Sequence, residues 1–212
     1  MKRIISIIAA LVLAAGSVLM AQTPEEIISR MEKEMNAHEK DGIFMVVEMK
    51  LPILGTFATE TYTKGDKMRM EVNTSGKKAI TWIDGHVQWL YTVADNEVVI
   101  ENLKQDGSKS SEGDLSALNG IADGYDVSLS KETDKEWYLL CKKSRSNKDK
   151  DAPKSMNLVV WKDSYLPASF SGKMSGVTLT MRNLKFGVSD REVTFNAADY
   201  PGVKITDKRS AE

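Results

Sequence analysis

Between Ile43 and Asn196 the chain is cut by turn residues into short stretches in which apolar and polar side chains alternate, and this period of two constrains the fold more than any other feature. Ile43 to Lys50 puts Ile43, Met45, Val47 and Met49 on one side. Thr56 to Thr63 and Lys67 to Val72 flank Lys64-Gly65-Asp66, a hairpin turn. Ala79 to Ile83 and His86 to Tyr91 flank Asp84-Gly85, a two-residue turn whose backbone matches strand twist. Asp95-Asn96 leads into Glu97 to Leu103. Further strands are expected at Asp126 to Ser130, Glu136 to Lys142, Met156 to Lys162, Ala168 to Ser171, Val177 to Asn183 and Glu192 to Asn196. About eleven strands at short spacing describe a large antiparallel sheet or barrel.

One helix precedes this pattern and a second, shorter one interrupts it. Thr23-Pro24-Glu25-Glu26 combines a capping residue, a first-turn proline and a glutamate three residues after the cap. Ile27, Ile28, Met31 and Met35 then recur at helical spacing until Asp41-Gly42 ends the helix. After the polar stretch Lys104 to Asp114, Leu115, Leu118 and Ile121 again carry helical spacing, so a short helix capped by Asp114 is expected to lie over the sheet. Lys142 to Ser155, rich in Lys, Asp, Ser and Asn, reads as a solvated hairpin loop, with a basic docking surface as the alternative.

The first 21 residues have a Lys2-Arg3 head, an apolar run from Ile4 to Leu13, and small residues up to Ala21. They read as a cleavable secretory signal peptide, too short for a lasting membrane span, which leaves 22–212 as a single domain. No cysteine stands at the cleavage region, so a lipid anchor is not expected. The single cysteine, Cys141, allows no internal disulfide and lies on a strand face with Trp137 and Leu139, as a small buried hydrophobe would. Without Lys2 and Arg3 the chain holds 27 basic and 30 acidic residues, a formal charge of −3. So balanced a chain is expected to bind neither nucleic acid nor an anionic membrane, either of which would call for a basic face.

Nothing in the sequence marks a catalytic or metal centre. His38 and His86 lie far apart and in no metal-binding spacing. Gly-x-Ser-x-Gly, phosphate-loop and dinucleotide patterns are missing, and the acidic residues are scattered among lysines. No cofactor and no enzymatic activity are expected. A hydrolase built on carboxylates brought together by the fold is the least favoured reading, and acids clustered in a cleft with raised pKa values would support it.

The strands hold more apolar surface than one long and one short helix can cover. What remains is either a cavity or a tightly packed plug. Nine methionines follow the signal peptide, and methionine adapts to irregular shapes such as flexible acyl chains, although plain core packing is the alternative at each position. Strand alternation puts Val87, Trp89 and Tyr91 on one face and Leu90 on the other, and these aromatics, with Trp82, suit sheet core as well as a ligand wall. The residues expected to line an acyl cavity are Ile28, Met31, Met45, Val47, Met68, Met70, Trp89, Tyr91, Leu115, Leu118, Ile121, Val160, Leu179 and Met181, with Leu115, Leu118 and Ile121 forming a mobile cover.

In this order the segments resemble the periplasmic lipoprotein carrier LolA family over nearly the whole chain after the signal. Trp82-Ile83-Asp84-Gly85-His86-Val87-Gln88-Trp89-Leu90-Tyr91 looks like the family's D-G-x-x-x-W-x-Y hairpin. Val193-Thr194-Phe195-Asn196 through Pro201-Gly202-Val203-Lys204-Ile205-Thr206-Asp207 is similar to its closing F-x-F…P-x-G-V-x-V-x-D. The resemblance implies an α+β fold, an incomplete antiparallel β-barrel wrapped round a leading helix and a short lid helix. It also implies a monomeric carrier that binds lipoprotein or lipid acyl chains, taking cargo from an inner-membrane release transporter and passing it to an outer-membrane receptor. The family's basic K-R-P stretch, whose arginine closes the lid, is not matched: Lys64-Gly65-Asp66-Lys67-Met68-Arg69 stands there, and Lys64 and Arg69 read as surface hairpin residues. A non-enzymatic envelope sensor or protein-binding module, with a filled interior and an apolar patch outside, is the alternative.

Overall fold

The computed structural model describes residues 22–53, 55–74, 76–103, 118, 120–150, 152–174 and 176–209. The expected signal peptide and most of the expected lid, Leu115 included, lie outside the described residues.

Helix α1 (Pro24–Ala37) begins as its sequence dictates. The Thr23 hydroxyl accepts from the Glu26 amide at 3.2 Å, and the Glu26 carboxylate accepts from the Thr23 amide at 3.2 Å, so two donors at the helix start are satisfied reciprocally. Its buried stripe is Ile27, Ile28, Met31 and Met35. A 3-10 turn (Glu39–Asp41) and Gly42 lead into the sheet.

Twelve strands follow, β1 (Ile43–Leu51), β2 (Gly55–Lys64), β3 (Lys67–Thr74), β4 (Lys77–Asp84), β5 (Val87–Thr92), β6 (Glu97–Asn102), β7 (Tyr125–Glu132), β8 (Glu136–Lys143), β9 (Ser155–Trp161), β10 (Pro167–Met174), β11 (Val177–Phe186) and β12 (Lys204–Asp207). They form one open sheet in the order β12-β6-β5-β4-β3-β2-β1-β11-β10-β9-β8-β7, an arrangement compatible with an incomplete barrel. Helical turns α2 (Ile121–Gly124) and α3 (Asp190–Val193) precede β7 and follow β11. Among the described residues no helix is long and apolar enough to cross a membrane.

Glycine at φ +61 (Gly65) and φ +60 (Gly85) turns the β2–β3 and β4–β5 hairpins, a conformation that side chains with a Cβ rarely adopt. Asp84 pairs with Val87, so the two-residue loop is Gly85-His86, one position later than the sequence suggests. The larger correction is at the C-terminus. Glu192 to Asn196 is not a strand. The Glu192 carboxylate accepts from the Ser189 amide at 2.7 Å, closing a capping box over α3, and the Asn196 side chain accepts from the Ala198 amide at 3.1 Å to start a second helical turn. The last strand is Lys204–Asp207 instead, added parallel to β6 at the sheet edge, which brings the count to twelve.

Helix α1 packs on one face of the sheet, the inner face here. Its stripe meets Met45, Leu118, Ile121, Trp137, Leu139, Cys141, Met156, Leu158, Val160, Phe170 and Met181 in one buried cluster. That cluster covers β7 to β11 and β1 and leaves the inner face of β2 to β6 to one side.

Candidate ligand-binding face

Residues directly opposite on neighbouring strands share a face. From the core outward, Met45 pairs with Thr61, Thr61 with Met70, Met70 with Thr81, Thr81 with Leu90 and Leu90 with Val99. A second row runs Val47, Thr59, Val72, Ala79, and a third Ile43, Thr63, Met68, Ile83, Gln88. Thr61, only 2 % exposed, is the last fully buried member of the first row. Beyond it Met68, Met70, Val72, Ala79, Ile83, Leu90 and Val99 are each half-buried. A column of threonines on β2, Thr59, Thr61 and Thr63, stands between this apolar surface and the core, and the Gln88 amide donating to Glu101 at 2.6 Å bounds it at one end.

The fourteen residues expected to line a cavity separate into groups. Ile28, Met31, Met45, Leu118, Ile121, Val160 and Met181 are buried together in the core cluster, with Val47 and Leu179 packed against it. Met68 and Met70 lie on the inner face outside that cluster. Trp89 and Tyr91 are on the outer face: Trp89 stacks 6.4 Å from Phe195, and Tyr91 lies 4.8 Å from Tyr200. The structure therefore does not bring these two aromatics together with Met68 and Met70. Sequence reasoning passed over Val72, Ala79, Ile83, Leu90 and Val99, although their alternation with the outer-face residues was the available signal.

On the outer face the segment after β11 lies across Trp82, whose ring is 5.3 Å from Phe195 and 5.6 Å from Tyr200. Arg69 belongs to this layer and is not a surface hairpin residue as expected. Its side chain is only 20 % exposed, ion-paired with Glu71, with the guanidinium carbon 5.0 Å from the Tyr62 ring and 5.9 Å from the Trp82 ring. Lys64 faces Asp190 of α3 at 3.4 Å. A cavity of about 220 Å³ remains between Arg69, Trp82, Arg191 and Tyr200, and burial raises the Tyr200 hydroxyl pKa. A larger groove of about 430 Å³ is lined by Val46, Glu60, Glu71, Lys78 and Arg182.

Little of this is reactive chemistry. The Cys141 thiol, fully buried, is pushed up to about 11 by desolvation, so it stays protonated and poorly nucleophilic. His38 Nδ1 sits 2.6 Å from the Asp41 carboxylate, and His86 is exposed in its turn. Among the described residues no three His, Cys, Asp or Glu side chains are grouped to hold a metal ion.

No protein-family model and no curated protein sequence matches the chain. Solved structures do. A LolA superfamily protein from Nitrosomonas europaea aligns at 14 % identity over 82 % of this chain and 99 % of its own, with a TM-score of 0.34. The chain is similar to a LolA superfamily protein. The lipoprotein LppX of Mycobacterium tuberculosis aligns at 11 % identity over 77 % of this chain and 96 % of its own, TM-score 0.49. A conserved Thermus thermophilus protein aligns at 16 % identity over 87 % and 98 %, TM-score 0.43.

Proposed function

We propose that the protein is a non-enzymatic carrier of the periplasm that holds acyl chains of lipoproteins or lipids against the inner face of β2 to β6. The observation that carries this reading is the half-buried row Met70, Leu90 and Val99 with its flanks Met68, Val72 and Ile83, an apolar surface outside the core cluster in which α1 is buried. Burying an acyl chain there favours binding by about 0.8 kcal/mol per methylene. The threonines interleaved in the row, Thr61 and Thr81, keep the face from becoming a continuous hydrocarbon wall. Such a surface grips a chain without covalent chemistry and releases it when a better apolar site is offered. Transfer from an inner-membrane transporter to an outer-membrane receptor is the finer form of this proposal.

The test is titration of the mature protein with a fluorescent acyl probe. Saturable binding that is lost in Met70→Arg and Leu90→Arg, with an unchanged thermal melt, supports the carrier. A protein that ignores the probe overturns it. The outer-face groove beside Glu60, Lys78 and Arg182 favours a second reading, a protein-binding module, and a partner whose binding is abolished by Arg182→Glu but not by Met70→Arg supports that one.

A further inference from the structure

The ends of the strands are unequal in charge. Four neighbouring connections, β3–β4, β1–β2, β10–β11 and β8–β9, lie side by side on one rim, because their eight strands are consecutive in the sheet. In sequence, residues 50–56, 73–78, 142–155 and 172–178 carry ten Lys or Arg and two Asp. The connections of the opposite rim, residues 38–42, 64–67, 84–87, 131–136, 161–167 and 185–190, carry seven Lys and nine Asp or Glu. Lys50, Lys77, Lys142, Lys154 and Lys173 are all exposed on the basic rim. Lys78 is partly engaged, its ammonium 2.6 Å from Glu71. Acidic residues bound the stretch, Asp95 beyond β4 on one side and Asp123 and Asp126 beside β7 on the other.

At the middle of that rim the β1–β2 hairpin projects an apolar tip. Ile53 is 95 % exposed and Pro52 is exposed beside it, while the sequence from Leu51 to Thr59 has no charged residue. A hairpin tip is ordinarily polar, and a large side chain fully in water gains nothing from the fold. The β8–β9 loop is held to the same rim, since Pro153 packs close against Gly172, next to Lys173, where an added Cβ would sit 3.3 Å from the Pro153 ring.

An apolar tip ringed by exposed lysines matches the surface of an anionic bilayer, with Ile53 entering the headgroup layer and the lysines facing lipid phosphates. We infer that this rim docks the protein on an anionic membrane surface, independently of any cargo held on the inner face. Each lysine facing such a surface strengthens binding about fivefold, the equivalent of about 1 kcal/mol.

The test is co-sedimentation of the mature chain with vesicles of phosphatidylcholine alone and of phosphatidylcholine with phosphatidylglycerol in equal parts. Binding is expected only to the phosphatidylglycerol vesicles, weakening as salt rises. Lys77→Gln with Lys173→Gln is expected to weaken it about 25-fold, and Ile53→Asp to abolish it. All three sites are exposed, and a thermal melt checks that the variants fold. Equal binding to both vesicle types, binding to neither, or variants that bind like the parent each overturn the inference. Met70→Arg should still sediment with vesicles and Ile53→Asp should still bind the acyl probe, so failure of the rim and failure of the carrier reading are told apart.

Discussion

Arg30 donates to the Tyr165 hydroxyl at 3.0 Å while its guanidinium carbon lies 5.1 Å from the centre of the same ring, fastening helix α1 to the β9–β10 turn. Gln22, just before the helix, donates to the same oxygen at 2.6 Å, and the Trp137 ring lies 5.2 Å away. The helix that fills half the inner face is thus tied at its first turns to a tyrosine more than a hundred residues later in the chain. Tyr165 holds this place with φ +57, a strained backbone for a bulky residue.

Tyr165→Phe is expected to cost about 1 kcal/mol, the net worth of a lost hydrogen bond, with the ring packing kept. Tyr165→Ala loses the ring as well and should cost about 3 kcal/mol. Urea unfolding of the three proteins separates the two contributions: equal losses would show that the ring adds nothing beyond its hydroxyl, and no loss in Tyr165→Phe would show that the hydroxyl contributes nothing.

Helix α1 should also be the main source of core stability. Met31→Ala removes a fully buried side chain facing the sheet and is expected to cost 2–5 kcal/mol. Met70→Ala, on the half-buried part of the same face, should cost about 1 kcal/mol or less while weakening acyl-probe binding. The opposite ranking by chemical denaturation would mean that β3 rather than α1 anchors the core.

Cys141 predicts a pH dependence. Its folded pKa is about 11 against an ordinary 9.0, so above pH 9 the unfolded chain loses the proton while the folded chain keeps it. The stabilisation is complete below pH 9 and is lost as pH rises toward 11, to a total of about 2–3 kcal/mol. Comparing the parent with Cys141→Ala across that range isolates the effect: the stability difference between them should change with pH, and a constant difference would refute the assignment. The native thiol should also resist aromatic disulfide reagents at pH 8 until denaturant is added.

The segment after β11 is held by aromatic contacts, so Phe195→Ala should loosen it. Phe195 lies against both Trp82 and Trp89, and its removal is expected to red-shift tryptophan emission and cost about 2 kcal/mol. Acyl-probe binding should be unchanged, because these contacts lie on the face opposite Met70. A loss of probe binding would show that the two faces are coupled through the sheet.

Much of this architecture was legible in local sequence. The Thr23–Glu26 capping box, the Gly65 and Gly85 turns and the alternation through β1 to β11 are short-range signals, each set by a few neighbouring residues. The misread segment, Glu192 to Asn196, alternates like a strand, yet Ser189 and Asn196 offer side-chain caps that a helical turn uses and a strand does not. Arg69 was misjudged for a different reason. Its place beside a hairpin turn suggests exposure, and only the return of the chain's last segment over Trp82 and Tyr62 buries it.

The sequence by itself determined which side chains share a face within each strand, because a period of two is a property of the pleated backbone: Trp89 and Leu90 had to point apart. Only the tertiary structure decided what each face meets. Strand order, register and the return of distant segments depend on pairings between residues far apart in the chain, which no local pattern encodes. That is why the aromatics expected to line a cavity pack under the C-terminal segment, while the quieter row of Met70, Leu90 and Val99 lies half-buried on the opposite face.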